Sequence, residues 1–316
     1  MRTNMKTVLS VALTCALFAT ACQKEDSANL NENNAPKFET YTGAILADKA
    51  ALKNIPVIVV SSDANARRRN PTTTTTTPPP DTTTTTSGGT VITVPPPTTA
   101  IPSSYSLVMP PVGYQGSEGS CVAWSVGYAA RSCMQYYATN AVSYSNATNI
   151  FSPEYVFNQI KFGTNCGSSA MMDAMSLMVN KGVCTWQSMP YSAANGCSLM
   201  PTSTQTTEAS NYRVSSYAMV SPGDQKTIKT MIASKKPIPF TCNIDYNFKY
   251  ATVGTIWKTY AGFAGSHAMV ICGYDDAKNA YKVMNSWGTA WGDAGYIWID
   301  YNLLPTISYE AYVMNK

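Results

Sequence analysis

Gln115-Gly116-Ser117-Glu118-Gly119-Ser120-Cys121-Val122-Ala123-Trp124-Ser125 is the stretch on which the reading of this chain turns. A run of small residues leads straight into a segment of helical character, with a cysteine at the junction. Gly116 and Gly119 allow a tight turn and a close approach of backbone to a ligand. From Val122 onward apolar residues recur at helical spacing, through Val126, Ala129/Ala130, Cys133 and Tyr136/Tyr137. Cys121 is therefore expected at a helix N-terminus, where unpaired N–H groups and the positive end of the helix dipole favour a thiolate. The bland alternative is a small buried core residue, the usual fate of a free cysteine.

The rest of the chain bears on that choice. It contains one histidine, His267, within Gly265-Ser266-His267-Ala268-Met269-Val270-Ile271-Cys272-Gly273-Tyr274, a run that reads as a buried strand. A nucleophilic cysteine needs a base that titrates near neutrality, and here only one imidazole exists to serve. Alone, a histidine beside an apolar run is more often a core residue than a catalyst. Eighteen residues further on stands Asn285-Ser286-Trp287-Gly288. Asn285 can fix the imidazole tautomer, and Trp287 can keep water from that bond.

Taken together, Gln115, Cys121, His267 and Asn285-Ser286-Trp287-Gly288 resemble the papain family of cysteine peptidases, over residues 101–301. His267 lies 146 residues after Cys121, within the family's usual interval of about 130–150, and Asn285 lies 164 after it, an overshoot that one insertion would explain. Met189-Pro190-Tyr191 and Gly292-Asp293-Ala294-Gly295-Tyr296 add to the likeness. The resemblance implies an α+β, two-lobed fold, with a helical N-terminal lobe, an antiparallel β C-terminal lobe and the active site in the cleft between them. It implies Cys121 as nucleophile, His267 as acid and base, Asn285 as the group orienting it, Trp287 as its shield and Gln115 as oxyanion donor. It implies protein or peptide substrates, no cofactor, no metal and a monomer. Three departures are expected to matter. Glu118 stands where the family has a half-cystine stapling the nucleophile loop, so that loop must be held by packing and Glu118 should point to solvent. Val122 replaces an aromatic. The Gly-Gly that lines the substrate backbone has its nearest match in Ser168-Ser169. Thr241 and Ala268 are expected to line the pocket for the residue before the cleaved one, which suggests an apolar side chain there.

Composition narrows the rest. The chain has 316 residues and a formal charge of +4, too little to argue for nucleic acid; Arg67-Arg68-Arg69 is the one basic run, read as linker or processing site. Residues 1–21 read as a signal segment, with Arg2 and Lys6 ahead of an apolar run too short to span a bilayer comfortably. It ends in Phe18-Ala19-Thr20-Ala21-Cys22, which resembles a bacterial lipobox, so Cys22 is the expected lipid anchor of an exported lipoprotein at the outer membrane and the cell surface. Residues 22–70 read as a tether or short pro-segment. Residues 71–102 are Thr- and Pro-rich and read as an extended stalk without a core. The peptidase-like domain occupies 103–316.

Within that domain helices are expected first, over 122–137, 153–161 and 171–180, then strands over 213–220, 237–243, 255–260, 267–273, 282–285 and 295–299, with a helix at 227–234 between the first two. Seven cysteines lie beyond Cys22. Setting the nucleophile aside leaves six, compatible with disulfides in an exported chain. Cys184 and Cys197, flanking Met189-Pro190-Tyr191, are expected to pair. The absence of any Cys-x-x-Cys spacing and the single histidine argue against zinc. The competing function is a catalytically weak domain of the same fold that binds protein or glycan at the surface.

Overall fold

The computed structural model describes residues 43–61, 82–86, 89–97, 99–144, 147–192 and 197–316, all within the unit Phe38–Lys316. The signal segment, Cys22 and Arg67-Arg68-Arg69 lie outside them. No helix among the described residues is long and apolar enough to cross a membrane.

The chain enters as a strap. Strand β1 (Ala44–Ile45) is followed by helix α1 (Lys49–Leu52), whose first turn is capped by the Asp48 carboxylate accepting from Ala50 N–H at 3.0 Å. Then comes β2 (Val57–Val60), four apolar β-branched residues with Ile58 and Val60 buried. Part of the expected stalk is not a spacer. β3 (Thr82–Thr86) and β4 (Gly89–Val94) form an antiparallel hairpin, and β4 pairs in parallel with β2. The apolar positions Ile92 and Val94 pack against the core, which the threonines around them concealed. A short β5 (Ser104–Ser106) follows.

The helical lobe comes next. α2 (Cys121–Ala123) runs through a π-helical segment, Trp124–Ala130, into α3 (Arg131–Ala138). α4 (Pro153–Ile160) starts as the sequence suggested, with Pro153 in its first turn and Ser152 Oγ accepting from Tyr155 N–H at 2.9 Å. After β6 (Ser169–Ala170) come α5 (Met171–Asn180) and α6 (Ser203–Ser210). α6 was not foreseen. It buries only Ala209, so it has no apolar stripe to read, and it is set by a capping box between Thr202 and Gln205.

The second lobe is a sheet in the order β3-β4-β2-β7-β13-β8-β10-β11-β12-β9, with β5 on β10. It comprises β7 (Ser216–Met219), β8 (Ile238–Ile244), β9 (Ile256–Trp257), β10 (Gly265–Asp275), β11 (Ala280–Met284), β12 (Tyr296–Asp300) and β13 (Glu310–Asn315). Helices α7 (Gln225–Ala233), α8 (Tyr246–Lys249) and α9 (Leu304–Ile307) connect them. β13 escaped the sequence reading because its first five residues are all buried, so it shows no alternation. The architecture is the expected α+β one.

Candidate active site

The β side of the site follows from register. β10 and β11 form an antiparallel hairpin in which Val270 faces Met284. Carried on, the same register brings Asn285 and Trp287 back alongside Met269 and His267. His267 Nε2 lies 2.7 Å from Asn285 Oδ1, and both residues are buried. The same Oδ1 accepts from Ser286 N–H at 2.7 Å, which identifies it as the oxygen. His267 Nε2 must then carry the hydrogen, and in the neutral ring the lone pair is on Nδ1. That atom is buried and has no hydrogen-bond partner. The Trp287 ring lies over the imidazole with centroids 4.7 Å apart. Phe248 and Trp291 pack against Trp287 in turn.

The helical side is a clamped loop. Gly116 has φ +63°, as a turn there requires. At Gly119 a Cβ would stand 1.9 Å from Gly167 O, so no other residue allows that approach. Cys121 is the first residue of α2, as expected. Gln115 is fully buried: its N–H donates to Ser286 O (2.9 Å), its Nε2 donates to Glu118 O (2.8 Å) and its Oε1 accepts from Ser286 Oγ (2.7 Å). Ser286 thus ties the oxyanion candidate to the residue that orients the imidazole. Sequence reasoning gave it no role. The signal was its place between Asn285 and Trp287.

Two expectations at this loop fail. Glu118 does not point to solvent: it is 3 % exposed, 3.0 Å from the Tyr191 hydroxyl, and burial pushes its carboxyl up to about 7. Nor is the Cys121 thiol depressed. Burial pushes it up to about 11, against backbone hydrogen bonds from Gly43 and Ala268 that favour the thiolate. Burial likewise lowers His267 to about 4, although the bond to Asn285 acts the other way. Burial thus favours the neutral form of both groups in this state. Desolvation outweighs the helix terminus because neither residue has any exposed surface.

On the Cys121 side the cover is the strap, through the backbone of Gly43. β1 pairs in parallel with β6, with Ala44 against Ser169 and Ile45 against Ala170, and Gly43 O accepts from Ser169 N–H at 2.8 Å. Gly43 fits only because it lacks a side chain; its Cβ would stand 2.2 Å from Gly119 O. The stretch at Ser168 and Ser169 is thus brought beside the nucleophile loop, and its edge is occupied by the chain's own N-terminal segment. Thr241 and Ala268 face each other across β8 and β10, both buried. The Thr241 hydroxyl donates to the buried Glu310 carboxylate, which also takes Tyr312 O–H (3.1 Å) and Ala47 N–H of the strap (3.4 Å). The carboxyl group that Thr241 meets was not read from the sequence.

The disulfide is Cys166–Cys197, with Cα atoms 5.6 Å apart, not Cys184–Cys197. Cys184 is buried in the core, where its carbonyl accepts from Ser152 N–H. The pairing was decided by which loops meet in space rather than by the shorter sequence interval. Cys121, Cys133, Cys184, Cys242 and Cys272 are free and buried.

Comparison with known proteins identifies the family and the fold. The family described as papain family cysteine protease matches residues 101–314. The chain is 28% identical over 207 residues to the gamete and mating-type specific protein A of Dictyostelium discoideum, covering 64% of this chain and 43% of that protein. It is 26% identical over 200 residues to cathepsin B-like CP3 of Giardia intestinalis, covering 61% and 64%. It therefore spans less than two thirds of the length of these relatives. Among solved structures, xylellain, a cysteine protease from Xylella fastidiosa, superposes with a TM-score of 0.59 at 22% identity, over 69% of this chain and 87% of that one. Bromelain protease from Ananas comosus in complex with the E64 inhibitor gives 0.55 at 23%, over 68% and 99%. At these identities the superpositions speak for the fold.

Proposed function

The chain belongs to the papain family of cysteine proteases, and from that premise we propose that it hydrolyses peptide bonds with Cys121 as nucleophile, from a latent form in which its own N-terminal strap covers the cleft. The observation that carries this reading is the tautomer of His267. Asn285 takes the Nε2 hydrogen, so the basic nitrogen is left for the thiol and for water. Once the cleft opens, the Cys121 proton passes to Nδ1 and the thiolate attacks the peptide carbonyl carbon. The Gln115 side-chain amide and the Cys121 N–H stabilise the oxyanion. The imidazolium protonates the leaving amine as the C–N bond breaks, leaving a thioester. Nδ1 then takes a proton from water, whose oxygen attacks the thioester carbonyl. The C–S bond breaks and the thiol is restored.

The latent form is supported by unequal anchoring of the strap. β1 rests on two backbone pairs and buries only Ala44, whereas the stretch beyond it buries Leu52, Ile55, Ile58 and Val60. At roughly 1.5–3 kcal/mol for each large apolar side chain buried, the second part holds while the first can lift. Substrate backbone would then take the Ser168-Ser169 edge, with Thr241, Ala268 and Glu310 beneath the residue preceding the cleaved one. The N-terminal sequence supports display on the bacterial outer membrane through a lipid on Cys22.

Gly43→Val tests the reading, because a Cβ at this position cannot fit against Gly119. Labelling of full-length protein by an epoxide thiol inactivator, with peptide mapping, is expected to rise at least tenfold at Cys121 in the variant, together with hydrolysis of a peptide library. A folded variant that neither labels nor hydrolyses would favour the binding-module reading.

A further inference from the structure

Tyr191 Oη lies 2.7 Å from Gln115 O, 2.8 Å from Ser120 Oγ and 3.0 Å from Glu118 Oε2. The phenol has one hydrogen. A backbone carbonyl can only accept, so the contact to Gln115 uses that hydrogen. Ser120 supplies its own hydrogen to the phenol oxygen. The contact to Glu118 then lacks a hydrogen unless the carboxyl carries one and donates it from Oε2. The other oxygen, Oε1, is buried without a hydrogen-bond partner, which suits a neutral carboxyl and not a carboxylate. All three contacts fall on the loop that presents Cys121, and Gln115 Nε2 closes the ring by donating to Glu118 O.

We propose that Glu118 and Tyr191 are positioning residues of the peptidase site: protonated Glu118 frees the Tyr191 hydrogen to hold the Gln115 carbonyl, and ionisation of Glu118 draws that hydrogen away and loosens the oxyanion donor. The inference rests on the peptidase reading. It assigns to a proton-dependent clamp the task that a disulfide staple performs in loops with cysteine at the position of Glu118.

The groups facing Glu118 act in both directions, and burial decides the outcome. Burial raises the carboxyl to about 7, Tyr191 opposes this by hydrogen bonding, Glu154 on α4 adds to it by repelling the charge, and Lys161 beyond α4 attracts the charge more weakly. A raised carboxyl is protonated in the folded state at pH values where the unfolded chain has lost the proton. In the folded chain the clamp is therefore nearly complete below about pH 6 and lost as pH rises through about 7, while its contribution to stability is full below about 4.5.

The test compares full-length chains carrying Gly43→Val, with and without Glu118→Gln or Tyr191→Phe. Gln mimics the protonated acid, since its amide donates where the carboxyl would. With Glu118 present, kcat is expected to fall about tenfold between pH 6 and pH 8.5, as expected for loss of one buried hydrogen bond, with KM changed less than twofold. E118Q is expected to remove that fall, carrying at pH 8.5 the kcat its parent has at pH 6. Y191F is expected to lower kcat at every pH and to remove the same limb. Superposable profiles with and without Glu118, or a change confined to KM, overturn the proposal. Absence of hydrolysis at every pH counts against the peptidase reading instead. Thermal unfolding then decides the clamp: the Tm difference between parent and E118Q is expected to shift by about 2–4 °C between pH 5 and pH 9. A constant difference overturns it.

Discussion

His267 stands in β10 and Asn285 directly after β11, on the two arms of one hairpin, and their side chains meet at 2.7 Å. Cys121 and Gln115 stand on a loop held from elsewhere: by Ser286 from the sheet, by Tyr191 from a segment more than seventy residues on, by Gly167 and by Gly43 of the strap. A register needs only two neighbouring strands, and a slip would turn every side chain to the wrong face. A clamped loop needs several distant groups and the right number of hydrogens among them. The base side should therefore respond to mutation in chemistry alone. The nucleophile side should respond to pH, to the strap and to redox state.

The largest expected effect lies on the sheet. His267→Ala should lower kcat of the opened enzyme by at least about a thousandfold, within the usual range for a general acid–base, with Tm within a few degrees of the parent. A large loss of Tm would show that the ring is a packing element and break the comparison. Next is the disulfide. Cys197→Ser should cost about 2–4 kcal/mol of stability, whereas Cys184→Ser should leave the Cys166–Cys197 bridge intact by mass mapping. Asn285→Ala removes one hydrogen bond to a group that becomes charged. A drop in kcat of roughly ten- to hundredfold follows from about 1.5–3 kcal/mol, again without a change in the pH limb ascribed to Glu118. Smallest is the pH profile of alkylation. In the covered state the thiol is raised to about 11, so labelling of Cys121 in the wild-type chain should climb toward that pH without a plateau near neutrality. Gly43→Val should show such a plateau, because the rehydrated thiol and imidazole can form an ion pair. Identical profiles would mean that the strap does not set the desolvation.

The legible parts share a cause. Ser152-Pro153 announced α4, the helical spacing after Cys121 announced α2 and α3, and alternation or β-branching announced most of the sheet. Each is a local signal. Glu118 was misread because a carboxylate in a small-residue loop normally faces water, and its partner Tyr191 is distant in sequence. The Cys184–Cys197 pairing was misread because sequence interval is a poor guide to distance. The strand at β4 was hidden among threonines that elsewhere make a spacer.

By itself the sequence singled out the groups proposed to carry the chemistry. A single histidine, one cysteine at a glycine-flanked helix start and Asn-Ser-Trp-Gly carry the resemblance to the papain family, and it is the resemblance that assigns their proposed roles. Only the tertiary structure decided their state. Whether the thiol is ionised, whether Glu118 holds a proton and whether the cleft is open depend on desolvation and on hydrogen-bond partners, and both are set by what packs nearby rather than by what lies next in the chain.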